Sequence, residues 1–105
     1  GTVPVTSTQA SGTPNTVFYM RLQLWASLHE YTGPIDGVPG TNTWKGVQRG
    51  LQSMGYDVDI TGTADSKTYT AIQAVAALHG YTGPIDGVPG PNTYRGFARF
   101  LNETL

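Results

Sequence analysis

The chain of 105 residues has no cysteine and few charged residues. Without cysteine it can form no disulfide, no thiolate metal site and no cysteine nucleophile. Charged residues make up 12% of the chain, against about a quarter in an average domain, and the formal net charge is −1. This balance excludes the basic surface needed to bind a nucleic-acid backbone, so we expect a neutral or mixed-charge partner such as a polysaccharide.

Long apolar runs are also missing. No stretch approaches the roughly 18 consecutive apolar residues of a membrane span, so we expect no contact with a membrane. The chain opens with Gly1 rather than Met and shows no signal peptide. We therefore expect a mature secreted product or a piece of a longer chain. Nothing in the sequence requires more than a monomer.

Residues 1–15, GTVPVTSTQASGTPN, carry no charge and no apolar period. They are rich in Thr, Ser, Pro and Gly, a composition typical of flexible linkers. The sequence therefore predicts a linker over 1–15 and a folded domain over 16–105.

Glycine and proline, by contrast, are plentiful, and many of them lie in one decamer that occurs twice. YTGPIDGVPG occupies residues 31–40 and 81–90, and residues 29–51 match 79–101 at 16 of 23 positions. A weaker copy halfway between them aligns Tyr56, Gly62 and Thr68 with both decamer units. The chain is thus predicted to hold three loop–helix units of about 25 residues after an opening helix.

Apolar residues recur within each unit at spacings of three and four, as at Trp44, Val47, Leu51 and Met54. This period is typical of amphipathic helices. Helices are predicted over 16–29, 41–54, 66–79 and 91–102. The expected fold class is an all-α bundle of about four helices.

Leu22-Gln23 followed by YTGPIDGVPGTNTWKGVQRGL resembles the peptidoglycan-binding domains found at the ends of bacterial and phage cell-wall hydrolases. The resemblance covers roughly residues 17–102, although the middle copy, GYDVDITGTADSKT, lacks the Pro and the Ile-Asp-Gly of the pattern. It implies a small helical bundle that is itself an internal duplication. A usual module has three helices, so one enlarged domain and two fused half-modules both stay open.

The resemblance also implies a function. It indicates a non-catalytic module that binds peptidoglycan and targets a covalently linked lytic domain to it. That catalytic partner would lie outside this sequence. The expected location is the bacterial cell wall, reached by secretion or by phage delivery.

A polar ridge on two helices offers candidate ligand contacts. Asn42, Lys45 and Arg49 share one helix face, and Asn92, Arg95 and Arg99 repeat it. The ridge decays in the middle unit, where the decamer decays too, which favours a binding surface formed by both. Arg can grip stem-peptide carboxylates, and a helix N-terminus attracts anions.

The decamers add an aromatic residue and a carboxylate to each copy. Tyrosine can pack its ring on a sugar, and aspartate can accept hydrogen bonds from hydroxyls. The predicted ligand-binding residues are Tyr31, Asp36, Asn42, Lys45, Arg49, Tyr81, Asp86, Asn92, Arg95 and Arg99. Closure of the loop by the tyrosines and solvated faces kept by duplication are the alternatives.

Catalytic and metal sites find little support. His29 and His79 lie one repeat apart and so are not expected to converge on a metal. Asp57, Asp59 and Asp65 match positions of a calcium loop, but Thr68 stands where a bidentate Glu is needed. No Ser–His–Asp pattern with a nucleophile elbow is present. We expect no cofactor, no metal and no catalytic residue.

Three function classes therefore stay open. The first and favoured one is a peptidoglycan-binding module. The second is a module for another polysaccharide such as chitin, and the third is a protein-interaction or spacer element.

Overall fold

A computed structural model describes residues 2–105, and in that range it contains helices and no strand. The five helices are α1 (Thr8–Ser11), α2 (Thr16–Ser27), α3 (Thr41–Ser53), α4 (Ser66–Ala77) and α5 (Pro91–Thr104). The four long helices begin 25 residues apart, as the repeat predicts. The predicted all-α bundle is confirmed, and the short α1 is an addition to it.

Each long helix is preceded by an extended residue that caps it. Asn15 and Asp65 accept hydrogen bonds from the backbone N–H groups of Phe18 and Thr68, at 2.8 and 3.0 Å. In the decamer units the cap is glycine, and Gly40 instead donates its N–H to Thr43 Oγ1 at 3.4 Å. The caps stabilise the helix starts by satisfying free N–H groups.

The helices enclose one continuous apolar core. Leu22, Val47, Ile72 and Phe97 hold the same place in the four long helices, and all are buried. α2 packs closely against α3, and α4 packs closely against α5. A Cβ atom on Gly46 would lie 2.9 Å from Ala26 Cβ, and one on Gly96 would lie 2.8 Å from Ala76 Cβ. The molecule is a flattened disc, with extents of 33 × 29 × 19 Å.

Each loop between two long helices packs on the first turn of the helix before it, and the loop before α2 packs on the first turn of α5. The contact is made by a glycine with φ between 72° and 79°. A Cβ there would lie within 3 Å of the helix start in each case. The pairs are Gly37 with Thr16, Gly62 with Thr41, Gly87 with Ser66 and Gly12 with Pro91. Since the first loop rests on the last helix, the array of four units closes on itself.

The N-terminal segment thus differs from the flexible linker that its composition predicts. Thr6 and Thr8 are buried. The buried guanidinium of Arg21 donates hydrogen bonds to Val3 O, Pro4 O and Leu101 O, at 3.1, 2.7 and 3.1 Å. The segment is held by hydroxyl, amide and carbonyl groups rather than by an apolar stripe, which explains why its hydrophobic pattern gave no sign of order.

Candidate functional site

The decamer loops are built around a buried glutamine from the preceding helix. Gln23 Oε1 accepts hydrogen bonds from the N–H groups of Asp36 and Gly37, at 2.9 and 2.8 Å. Its Nε2 donates to Asp36 Oδ1 and Val38 O, at 2.9 and 3.1 Å. One side-chain amide therefore satisfies hydrogen-bonding groups on both sides of the turn, and the loop wraps around it.

The same arrangement occurs in the other two units. Gln73 binds Asp86, Gly87 and Val88 at 2.8–3.1 Å. Gln48 binds the N–H groups of Thr61 and Gly62 at 2.8 and 2.9 Å, and a threonine hydroxyl replaces the carboxylate. The sequence analysis assigned no role to these three glutamines. The available signal was a polar residue at a core position in every copy.

Asp36 and Asp86 are exposed but shape their own loops. The Gln23 amide first, and then the Val38 N–H, hold the pKa of Asp36 below its usual 3.8. For Asp86 the Val88 N–H comes first and the Gln73 amide second, and its pKa is lowered too. Both carboxylates are therefore ionised at neutral pH. Only Oδ1 of each accepts a hydrogen bond from residues 2–105.

The two decamer tyrosines are buried under their loops and hold them closed. Tyr31 and Tyr81 are each only 8% exposed. Their hydroxyls donate to Pro34 O and Pro84 O, at 2.7 and 2.6 Å. The predicted use of an exposed ring face as a sugar platform does not fit this placement, and loop closure, the alternative, does.

A hollow forms where each decamer meets the first turn of the helix that follows it. The two hollows have volumes of about 270 and 230 Å³. The first is lined by Tyr31, Gly33, Pro34, Asp36, Val38, Gly40, Thr41, Asn42 and Thr43. The second is lined by Tyr81, Gly83, Pro84, Val88, Gly90, Pro91, Asn92 and Thr93. We call them the first and second decamer hollows. Of the predicted ridge, only Asn42 and Asn92 lie on them.

The outer arginines of the ridge tie helix ends instead. Arg49 Nε donates to His29 O at 2.7 Å, and Arg99 Nε donates to His79 O at 2.5 Å. These carbonyls lie just beyond the ends of α2 and α4, where a cation satisfies free acceptors and the helix dipole. Arg49 also lies 3.6 Å from a carboxylate oxygen of Glu30. Arg49 and Arg99 thus hold neighbouring elements together, so this part of the ridge has a structural role.

Lys45 and Arg95 hold equivalent places but have different surroundings. Arg95 donates to Ala10 O and Ser11 O at the end of α1, at 3.0 and 3.3 Å, and to Asn92 Oδ1 at 2.5 Å. Lys45 and the side chain of Asn42 make no hydrogen bond or ion pair among residues 2–105. The first decamer hollow therefore has the more available polar rim.

The acidic stretch of the middle unit has roles other than metal binding. Asp65 caps α4, and its hydrogen bonds with the Thr68 side chain and N–H lower its pKa. Asp57 and Asp59 flank Lys67 Nζ at 3.6 and 3.5 Å. Residues 2–105 contain no group of three or more His, Asp or Glu side chains placed to share a metal ion.

The two histidines have different partners. His79 Nδ1 lies 2.9 Å from Glu103 Oε2, whereas His29 packs edge-on against Trp25 with ring centres 5.3 Å apart.

Over residues 2–105, each helix is too short or too polar to cross a bilayer.

Comparison with known proteins identifies the family of the chain. The family model described as "Putative peptidoglycan binding domain" matches residues 42–96, which are 55 of the 105 residues. The match runs from the start of α3 into α5 and includes the second decamer. No curated protein and no solved structure matches the chain. Since the match spans more than half of the residues, the chain belongs to the peptidoglycan-binding domain family.

Proposed function

We propose that the chain is a non-catalytic module that binds peptidoglycan through its two decamer hollows and holds an attached lytic enzyme on the cell wall. Family membership supports binding to the wall. The observation that carries the site is the pair of equivalent hollows, each formed by a rigid turn and an exposed asparagine. Concave surfaces with a few fixed polar groups are typical of ligand sites.

The chemistry of the rims suits the wall polymer. Asn42 and Asn92 offer amide donors and acceptors to sugar hydroxyls and peptide groups. The ionised Asp36 offers a free Oδ2 to hydroxyl donors. Arg49 and Arg99 use only Nε in the hydrogen bonds described, so their Nη atoms can meet stem-peptide carboxylates further along the same helices.

Two sites on one rigid disc gain avidity on a polymer. Once one hollow is engaged, the second meets a ligand at high effective concentration, and no new contact is needed. We expect the first hollow to contribute more, because Arg95 engages Asn92 whereas Asn42 is unengaged. The bound module works as a monomer at the bacterial wall, with secretion or phage release as the route there.

Co-sedimentation with purified sacculi tests the proposal, with chitin in parallel. Asn42→Ala should weaken pelleting about two- to tenfold, the effect of losing about one hydrogen bond. Asn92→Ala should weaken it less, and the double variant most. Thr104→Ala, on the exposed end of α5, is the control and should bind as the parent does.

Other outcomes contradict specific parts of the proposal. Full binding by the double variant would remove the hollows as the site. Equal pelleting with chitin would assign the module to polysaccharides in general, and no pelleting with either polymer would favour a spacer or protein-interaction role. Release of soluble muropeptides by the chain alone would overturn the non-catalytic assignment.

A further inference from the structure

A third hollow of about 260 Å³ lies in the middle unit and shares no lining residue with either decamer hollow. Its floor is formed by Thr70, Ala71 and Ala74 of α4, with Tyr56 beside it. We call it the Lys67 hollow, after the cation on its rim. Fifty residues earlier, the equivalent floor of α2 carries the larger Met20, Arg21 and Leu24. A hollow of about 630 Å³ lies over that surface as well, so the middle unit differs in the small size of its floor residues and in its charges.

The rim of the Lys67 hollow carries charges of both signs. Lys67 Nζ lies 3.6 Å from Asp57 Oδ2 and 3.5 Å from Asp59 Oδ2. All three side chains are more than half exposed, so a ligand can reach them. In the decamer units the aligned residues are uncharged: Asn42 and Asn92, Thr32 and Thr82, Pro34 and Pro84.

This concentration of charge is unusual for the chain. Lys, Arg, Asp and Glu number only 13 in the whole sequence; Lys67 and Asp57 line this hollow, and Asp59 lies beside Lys67. Asp57 first, and Asp59 second, raise the pKa of Lys67, which keeps it an ammonium ion. The rim therefore presents the Lys67 ammonium and the Asp57 carboxylate, with the Asp59 carboxylate next to them, beside a small apolar floor.

We propose that the Lys67 hollow binds an α-amino acid group, that is, an ammonium and a carboxylate on the same carbon. Asp57 and Asp59 receive the ammonium, Lys67 receives the carboxylate, and the aliphatic part of the ligand lies on Ala71 and Ala74. A simple anion would be repelled by the two aspartates, and a simple cation would lie against Lys67. Only a ligand that carries both charges complements the whole rim.

The biological source of such a group rests on the proposed function. A wall peptide that contains diaminopimelic acid carries a free α-amino acid centre at the end of that side chain wherever it is not cross-linked. The hollow would then read the peptide part of the wall while the decamer hollows hold the polymer. The physical site itself depends only on the charges and the floor.

Titration of the full 105-residue chain, followed by amide NMR shifts, tests the assignment. The probe is meso-diaminopimelic acid, and pimelic acid, which has the same chain and carboxylates without the amines, is the matched compound. We expect the Ala71 and Ala74 amides to shift with the first compound and not with the second. Equal shifts with pimelic acid, or no shift on α4 with either compound, would overturn the inference.

Two variants locate the binding. Ala74→Leu places a larger side chain on the floor of the hollow, so it should block the ligand and abolish the shifts. The helical circular dichroism should stay unchanged, because α2 carries Leu24 at the equivalent position. Lys67→Gln should weaken binding about two- to fivefold, in line with exposed charge pairs. Thr104→Ala, on the exposed end of α5, is the control and should leave binding unchanged. Undiminished binding by a folded Ala74→Leu chain would overturn the inference, and if that variant does not fold, equal binding by the Lys67→Gln and Thr104→Ala chains would do so.

The result can be separated from the fate of the proposed function. Sacculus pelleting depends on the decamer hollows, whereas the titration depends on the Lys67 hollow. Pelleting without any α4 shift would overturn the amino-acid site alone. An α4 shift without pelleting would overturn the wall-binding role alone.

Discussion

At the scale of single residues, the three buried glutamines explain why the loops keep their shape with so few apolar contacts. Gln23, Gln48 and Gln73 are fully buried, yet every buried side-chain polar atom among residues 2–105 has a partner. Each amide binds two backbone N–H groups and at least one carbonyl of its loop. A polar side chain at a core position is thus compatible with the fold because its cost is offset by hydrogen bonds.

Substitution of one glutamine should therefore cost more than an ordinary surface change. Gln48→Leu leaves the N–H groups of Thr61 and Gly62 without their acceptor. Because a buried unsatisfied group costs about 1–3 kcal/mol, we expect the free energy of unfolding to fall by about 2–4 kcal/mol. Urea denaturation followed by circular dichroism measures it.

Gln52→Ala is the matched control for this prediction. Gln52 lies one turn further along α3, is exposed, and makes a single hydrogen bond to Val58 O at 2.8 Å. Its loss should cost less than about 1.5 kcal/mol. Equal effects of the two substitutions would show that the buried amide is not what holds the loop.

At the scale of elements, the long helices could be predicted because local patterns determine them. Apolar spacing, caps and the repeat place α2 to α5 within two residues of their observed starts and ends. The roles of Arg49 and Arg99 could not be predicted, since their acceptors, His29 O and His79 O, lie 20 residues away on another element. Asn42 and Asn92 lie beside the loops because they follow them directly in sequence.

The N-terminal segment shows the other limit of pattern reading. Its order comes from long-range polar contacts, such as the bonds between Asn102 and the backbone of Thr6 at 2.9 and 3.0 Å. One signal was nevertheless present. Gly12 lies 25 residues before Gly37, and Asn15 lies 25 residues before Gly40, so the segment is a fourth copy of the loop.

Removal of residues 1–7 should consequently destabilise the fold. The deletion takes away two of the three acceptors of the buried Arg21 guanidinium and the Thr6 backbone groups that bind Asn102. Hydrogen bonds to a charged group contribute about 1.5–3 kcal/mol each, so we expect a loss of at least about 3 kcal/mol in unfolding free energy. Urea denaturation of the shortened and full-length chains provides the measurement.

Val5→Ala serves as the control in the same segment. Val5 is 61% exposed, and its shortening should change stability by less than about 0.5 kcal/mol. A shortened chain as stable as the full one would restore the linker interpretation of residues 1–15.

At the scale of the whole molecule, the four units form a closed ring rather than an open stack. Each loop rests on the preceding helix, and the first loop rests on the last helix. Open arrays leave their terminal repeats without a neighbour on one side. Here the ends meet, since Thr2, Val3 and Leu105 line one hollow. Closure lets about 100 residues share one core with few charges and no disulfide.

A circular permutant tests this closure directly. Residue 105 is joined to residue 2 by a short Gly/Ser linker, and the new chain begins at Gly55, which is exposed and has no atom within 4 Å of a Cβ built on it. Because the ring has no intrinsic start, we expect the same helical circular dichroism and an unfolding free energy within about 2 kcal/mol of the parent, as is usual when exposed turns are cut. A second permutant is opened inside α3, between Gln48 and Arg49. It should lose most of its stability, because the cut breaks helical hydrogen bonds and leaves the loop-binding Gln48 at a free chain end. If opening the turn is as damaging as opening the helix, the order of the units along the chain matters and the ring description is wrong.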